Sequence, residues 1–390
     1  MKHTVCVITG SRAEFGLLLP LLQKLHTEPT VALRLVVTGS HLNEAFGNTQ
    51  TEIERSGLPI HARIPLPQGQ GTVEMIDATA AAMTAFGAYF AENRPELLVV
   101  LGDRYEIFGA CTAAAMLAIP IAHLHGGETT EGAVDEFFRH SITKMSCLHF
   151  TSCEAYRRRV IQLGEAPEHV FNVGATGVEN TLHTPLLSLA ELQADLSFDL
   201  TSRPYSVVTF HPVTLEQNTA ERQMAELIAA MDSFPAMGFI VTKANADAGG
   251  ATINAIWDEA AESHPNWFVT PSLGMKRYLS ALRYAQMMLG NSSSGIIEAP
   301  AMQIPTVNIG DRQKGRLRAQ SVIDCEPERG AMIAAMASAL TPEVRSLAQQ
   351  GFGLFGNGTT SEKIMTELLA FLNNPPSSMK KHFYDVEFSL

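Results

Sequence analysis

No two cysteines in this sequence stand in the C-x-x-C spacing of zinc knuckles and dithiol enzymes. The five present, Cys6, Cys111, Cys147, Cys153 and Cys325, lie mostly in apolar or strand-like surroundings. They read as buried free thiols rather than metal ligands or disulfides. Positive charge is scarce too: 28 Lys and Arg stand against 40 Asp and Glu, a net charge of −12. That excludes nucleic acid as the main partner, because phosphate backbones are bound by basic surfaces. An anionic small molecule stays open wherever basic side chains cluster locally. No apolar run approaches the ~20 residues of a membrane span. The start, Met1-Lys2-His3-Thr4, runs into a strand pattern without an apolar leader, so a cytoplasmic protein with no membrane partner is expected. A Gly-x-Gly-x-x-Gly loop is missing, which disfavours nicotinamide and flavin enzymes.

What is there is a long series of short apolar runs with helical patterns between them. At 390 residues the chain is too long for one ordinary core, so two domains are expected. Thr4–Thr9, Leu33–Thr38, Leu97–Leu101, Ile119–His123 and His149–Thr151 read as strands. Leu18, Leu21, Leu22 and Leu25 mark one face of a helix. Further helical stretches run over Ala78–Ala91 and Ile107–Leu117. The pattern restarts with strands at Ser206–Phe210, Gly238–Lys243, Trp267–Thr270, Gln286–Leu289 and Thr306–Ile309, and Thr184–Thr201 suits a local helix. Two βαβ series imply two α/β domains with parallel sheets covered on both faces. The boundary is expected near Asn172–Asn180, giving domains over 1–175 and 176–375. The tail from 376 to 390 reads as a late crossing segment or a loose end.

Sites in such sheets lie at the C-terminal strand ends, and the polar motifs fall there. Gly290-Asn291-Ser292-Ser293-Ser294-Gly295-Ile296-Ile297-Glu298 reads as a strand end, a small hydroxyl-rich turn and the first turn of a helix. Small residues let a phosphate approach free N–H groups, and Glu298 can reach back to a ribose diol. The same pattern also suits an ordinary N-capped helix. Gly10-Ser11-Arg12 opens the first helix and places an arginine where a phosphate can be met bidentately. Gly102-Asp103-Arg104 puts a carboxylate and a cation at the end of the central apolar strand. His123-Leu124-His125-Gly126-Gly127-Glu128 could ligate zinc through two histidines on one strand face. No HExxH or cysteine pair supports that, so no metal and no cofactor is expected, and proton chemistry by the acids is favoured. The two glycines imply a sharp exit presenting Glu128. Asp135 stands four residues before Arg139, which fits a helix salt bridge or a further active carboxylate. His211 beside Pro212 ends a strand. Asp311 to Arg318 is the densest basic stretch and includes Arg312.

Taken together, TGSRAEFG (9–16), GDRYEIF (102–108), HLHGGETTEG (123–132), DEFFRHSITKMS (135–146), FHPVTLE (210–216), NSSSGIIE (291–298) and NIGDRQKGR (308–316) resemble the hydrolysing UDP-N-acetylglucosamine 2-epimerases of sialic acid biosynthesis. The resemblance spans the chain in order. It implies two Rossmann-like domains of the GT-B type with a deep interdomain cleft, a C-terminal segment crossing back onto the first domain, a UDP-sugar substrate, and a homodimer or homotetramer. It implies that Ser292, Ser293 and Glu298 take UDP, with His211, Arg12, Arg104 and Arg312 around the diphosphate. Asp103, Glu128 and Asp135 would flank the sugar, with His125 and His211 as further catalytic candidates. Many relatives, non-hydrolysing ones included, carry a glutamate where His125 stands, so either His125 takes over part of that role or Glu128 carries it alone. The implied reaction is elimination of UDP to a 2-acetamidoglucal and rehydration to a free manno sugar. The same residues leave open UDP-2,4-diacetamido-2,4,6-trideoxyglucose as substrate, a non-hydrolysing epimerase, or a glycosyltransferase of the same fold.

Overall fold

A computed structural model of the chain describes residues 2–43, 49–67, 69, 71–130, 134–212, 220–244, 249–350, 353–376, 378 and 380–387. The motif ends at 131–132 and 213–216, and parts of the tail, lie outside the described residues.

The strands are fully buried apolar runs, as when both faces of a sheet are covered. Leu97-Leu98-Val99-Val100-Leu101, for example, is buried at every position. In the first unit β1 (His3–Thr9), β2 (Val31–Thr38), β3 (Ile60–Ile64), β4 (Leu97–Leu101), β5 (Ile121–Leu124), β6 (Leu148–Thr151) and β7 (Val170–Asn172) form one parallel sheet, ordered β3-β2-β1-β4-β5-β6-β7. In the second, β8 (Tyr205–Thr209), β9 (Gly238–Thr242), β10 (Trp267–Thr270), β11 (Met288–Gly290), β12 (Thr306–Ile309) and β13 (Val322–Cys325) form another, ordered β10-β9-β8-β11-β12-β13. Each order reverses once, between β1 and β4 and between β8 and β11. At such a switch point the neighbouring connections part to opposite faces and leave a crevice for a ligand.

Three strands escape the sequence pattern, and all lie at sheet edges: β3, β7 and β13. β3 keeps His61 and Arg63 exposed, so its apolar signal is half that of a central strand. The segment 184–201 is helical only over Leu189–Leu196, where Ser188 and Glu191 form a capping box.

The compact units are Met1–Glu128, Asp135–Glu179 and Gly356–Leu390 for the first, and Thr129–Val134 with Asn180–Phe355 for the second. The expected second domain ran to 375. The structure instead gives the helix Thr360–Asn373 to the first unit, because Ile364, Met365, Leu368 and Leu372 join the cluster of Leu18, Leu21, Leu22 and Leu25. Burial of an aliphatic side chain contributes about 1.5–3 kcal/mol, so four decide where that helix lies. The tail continues on the same unit. Lys381 donates to the carbonyls of Lys144 and Ser146 at 2.8 and 2.6 Å, capping the end of the helix Asp135–Met145. It also pairs with the buried Glu165 at 2.6 Å. Among the described residues no helix is long and apolar enough to cross a membrane.

Candidate functional site

In the first unit the motifs gather at the switch point. β1 ends at Thr9 and the helix Arg12–Thr27 begins two residues later, capped by Ser11, whose Oγ accepts from Glu14 N at 3.3 Å. Glu14 reaches back to accept from Gly10 N at 2.9 Å. Arg12 is the first helical residue. Across the switch point β4 ends at Leu101, and Gly102, Asp103 and Arg104 lead into the helix Tyr105–Met116. Arg104 Nε donates to Glu106 Oε1 at 2.6 Å, and Glu106 is fully buried. His41 is buried between Thr9 and Thr49, with ring nitrogens 3.0 and 2.8 Å from their hydroxyls. Burial holds His41 down to about 4, and the Arg104 and Arg12 cations push the same way. Both arginines therefore act on one spot.

The exit from β5 holds the carboxylates. His123, still in the strand, places Nε2 2.7 Å from the Gly102 carbonyl and Nδ1 3.2 Å from Thr143 Oγ1. Burial drives it down to about 3, so it is a neutral strut between β4 and the helix Asp135–Met145. His125 lies past the strand in a left-handed conformation, φ 65°. The expected shared face of the two histidines is therefore lost, and the turn begins at His125 itself, ahead of the two glycines. Among the described residues no group of three or more His, Cys, Asp or Glu is placed to hold a metal ion. The His125 ring sits between Thr176, which donates from N at 3.4 Å to Nε2, and Glu128, whose Oε1 is 2.9 Å from Nδ1. Nδ1 thus faces the Glu128 carboxylate, and Nε2 also meets the Thr176 hydroxyl at 3.1 Å. Ser152 Oγ donates to the same carboxylate oxygen at 2.8 Å. Glu128 is thus a buried, oriented carboxylate.

Arg139 ties the group together. It is 2% exposed, pairs with Asp103, pairs with Glu136 at 2.9 Å and donates to the Glu128 carbonyl at 3.0 Å. Burial alone would lower the guanidinium, but Asp103, Glu128 and Glu136 outweigh it and the group is held above its ordinary value. Asp135 begins the same helix, one turn before Arg139. The structure brings Asp103 and Glu128 together through this arginine, with His125 joined through Glu128; Asp135 is placed only one turn before it on the same helix.

In the second unit the switch point carries the serine turn. Gly290 ends β11 with φ 131°, and a Cβ there would stand 2.0 Å from the Thr209 carbonyl, so only glycine fits. The expected helix after the serines is a 3-10 turn, Ser293–Gly295, followed by a four-residue helix, Glu298–Ala301. A helix that short sums little macrodipole, so any pull on an anion here comes from local N–H and hydroxyl groups. Ser292 caps the turn, accepting from Ser294 N at 3.3 Å. Tyr278 OH donates to Ser294 Oγ at 2.7 Å and fixes the turn from behind. Burial, with Glu298 nearby, keeps that phenol protonated.

Asn291 is the centre of this end. Fully buried, it accepts from His211 N at 2.7 Å and donates to His211 O at 2.8 Å, joining the β8 exit to the β11 exit. Its own carbonyl accepts from Arg312 Nη1 at 3.2 Å and Gln313 Nε2 at 2.8 Å. His211 and Arg312 therefore meet at Asn291, one on its side-chain amide and one on its backbone carbonyl, with Ser292 and Ser293 next in the chain and Glu298 three residues past the turn. Lys243, at the end of β9, is paired with Asp258 at 2.6 Å.

The residues overlooked in the sequence are those that hold others: Glu106 under Arg104, Ser152 and Thr176 on either side of the Glu128–His125 pair, and Asn291 and Gln313 under the basic stretch. Glu106 and Asn291 did carry a signal. Each stands inside a motif, beside the residues singled out.

The chain as a whole is similar to known proteins. A family model described as UDP-N-acetylglucosamine 2-epimerase matches residues 23–369. The chain is 41% identical over 331 residues to the Escherichia coli polysialic acid biosynthesis protein P7, covering 84% of each. It is 38% identical over 327 residues to the Campylobacter jejuni GDP/UDP-N,N'-diacetylbacillosamine 2-epimerase (hydrolyzing), covering 83% of this chain and 85% of that one. The solved Neisseria meningitidis UDP-GlcNAc 2-epimerase bound to UDP-GlcNAc superposes with a TM-score of 0.80 at 15% identity, covering 94% of this chain and 100% of that one. At that identity the likeness is one of fold, and it gives the two Rossmann-like domains the GT-B type expected of them.

Proposed function

From the premise that the chain belongs to the UDP-N-acetylglucosamine 2-epimerase family, we propose that it is a hydrolysing enzyme converting UDP-N-acetylglucosamine and water to N-acetylmannosamine and UDP. The observation that carries this reading is the oriented carboxylate set of the first unit: Glu128 held by His125 and Ser152, and Asp103 held by Arg139. In the proposed reaction a carboxylate removes the C2 proton while the C1–O bond breaks and its electron pair leaves with UDP. The resulting 2-acetamidoglucal takes hydroxyl from water at C1 and a proton at C2 on the opposite face. Two faces need two proton-transfer groups, and Asp103, Glu128 and Asp135, with His125 and His211 as partners, can supply them. No redox cofactor enters.

UDP is taken by the second unit in this reading. Ser292 and Ser293 meet the phosphates and Glu298 the ribose hydroxyls. His211, Arg312, Arg12 and Arg104 supply the positive charge that stabilises the leaving diphosphate. The placement of His211, Ser292 and Arg312 around Asn291 supports it. A second substrate has a specific observation behind it: a relative at 38% identity is named for a diacetamido sugar. UDP-2,4-diacetamido-2,4,6-trideoxyglucose is therefore assayed in parallel. The expected products are UDP and a free manno sugar. Release of a UDP-linked manno sugar would replace hydrolysis with simple epimerisation, and faster turnover of the diacetamido sugar would replace the substrate. The reading also includes a cytoplasmic enzyme that associates as a homodimer or homotetramer. Light scattering that returned the mass of one chain would remove the association.

A further inference from the structure

We propose that Glu106 is the positioning residue of Arg104, holding its guanidinium by Nε in the orientation that meets the leaving diphosphate. The inference rests on the functional reading above, in which Arg104 serves that diphosphate.

Residues two apart on a helix do not face each other. Arg104 escapes that rule because it precedes the helix in extended backbone, φ −72° and ψ 149°, so its side chain folds back over the first turn. There Glu106 waits with no solvent exposure, 2.6 Å from Nε, while the Arg104 side chain remains 24% exposed. One end of the arginine is anchored in the interior and the other reaches the surface.

Glu106 itself has little freedom. A Cβ on Gly10 would stand 2.6 Å from Glu106 Oε1, and one on Gly39 2.9 Å from the same atom. The carboxylate is thus wedged against the backbone at the ends of β1 and β2. Glu14 completes the floor, bonded to Gly10 N at 2.9 Å. Two buried carboxylates cannot both carry charge cheaply. Burial first, and Glu106 second, push Glu14 up to about 8, against the pull of Arg104. Glu14 is thereby favoured in its neutral form, and the Glu106 carboxyl is the one that meets Arg104.

An arginine without that anchor must be ordered by the ligand, which costs on the order of tenfold in affinity. The test is a double-mutant cycle on the full chain, reading the dissociation constant for UDP by calorimetry and kcat and KM for UDP-N-acetylglucosamine. Arg104→Ala is expected to weaken UDP binding and kcat/KM markedly. Glu106→Leu should cost on the order of tenfold, mainly in KM and UDP affinity. The isosteric Glu106→Gln, which keeps the shape and an accepting oxygen, should recover most of the loss. In the Arg104→Ala background neither Glu106 change should cost anything further. Losses that multiply through that background would overturn the positioning role, as would wild-type behaviour of both Glu106 variants. An Arg104→Ala enzyme unchanged in UDP binding and kcat/KM would instead overturn the reading on which the inference rests. Should Glu106→Leu fail to fold, Glu106→Ala replaces it in the same cycle, with the same expected and contradicting results.

Discussion

The two switch points solve different problems with different chemistry. At the first, between β1 and β4, the side chains are ionisable and locked to one another: Glu14, Glu106 and Arg104 on one side, Asp103, Arg139, Glu128 and His125 on the other. At the second, between β8 and β11, the work of holding is done by groups that do not titrate near neutral pH: the Asn291 amide, the Ser292 hydroxyl, the Gln313 amide and the Tyr278 phenol. Charge held in a buried network can be moved as protons. Amides and hydroxyls fix a backbone and leave protonation states alone. One parallel-sheet plan thus yields a region suited to acid–base steps and a region suited to grip, and the difference lies in side chains at equivalent strand ends.

The comparison breaks most visibly on the carboxylates. Asp103→Asn and Glu128→Gln are each expected to lower kcat by roughly 10²–10⁴-fold, the range for lost acid–base groups. UDP binding by calorimetry should stay within a few fold of wild type. Equal losses in kcat and UDP affinity would erase the division of labour.

Asn291→Ala should do the reverse. It frees the His211 backbone groups and removes a buried amide, so unfolding by urea should show a loss of about 1–3 kcal/mol. UDP affinity should fall with it, while kcat at saturating substrate changes least. A variant that binds UDP normally but turns over slowly would place Asn291 with the proton chemistry instead.

A third comparison sharpens the contrast through pH. Glu14 is raised from 4.5 to about 8 by burial and by Glu106. A raised carboxyl favours the folded state fully below its unfolded value and loses that contribution as pH rises through its folded value. Between pH 4.5 and about 8 this group should lower stability by at most about 1.4 kcal/mol per unit. Urea midpoints at pH 5, 6.5 and 8 should therefore fall less steeply for Glu14→Gln than for wild type, while Asn291→Ala keeps the wild-type slope. Parallel slopes for wild type and Glu14→Gln would show that Glu14 does not hold the proton.

Much of this was legible in the chain. Central strands such as Leu97–Leu101 are apolar at every position because both faces are covered. Asp103, Glu128 and Ser292 could be found because glycine-bearing turns follow such strands. Edge strands were not legible: β3 exposes alternate residues and β7 has only three. The home of the helix Thr360–Asn373 was hidden as well, since its apolar face suits either unit and packing against Leu18 and Leu22 decides. The clamp of Asn291 on His211 spans 80 residues, and no local pattern announces a contact of that separation. Glu106 was passed over because spacing i, i+2 argues against contact on a helix, and the extended backbone at Arg104 is invisible in composition. The helix expected after the serines is broken because Tyr278 and Thr306 hold Ser294 and Gly295 in a tighter turn.

The central claim is that the first unit moves the C2 proton while the second grips the leaving group. Proton NMR of the reaction of UDP-N-acetylglucosamine in deuterated water tests it directly. Free UDP and a free manno sugar carrying deuterium at C2 in every molecule are expected. A free sugar that keeps its C2 proton, or transfer of the sugar without exchange at C2, would contradict it.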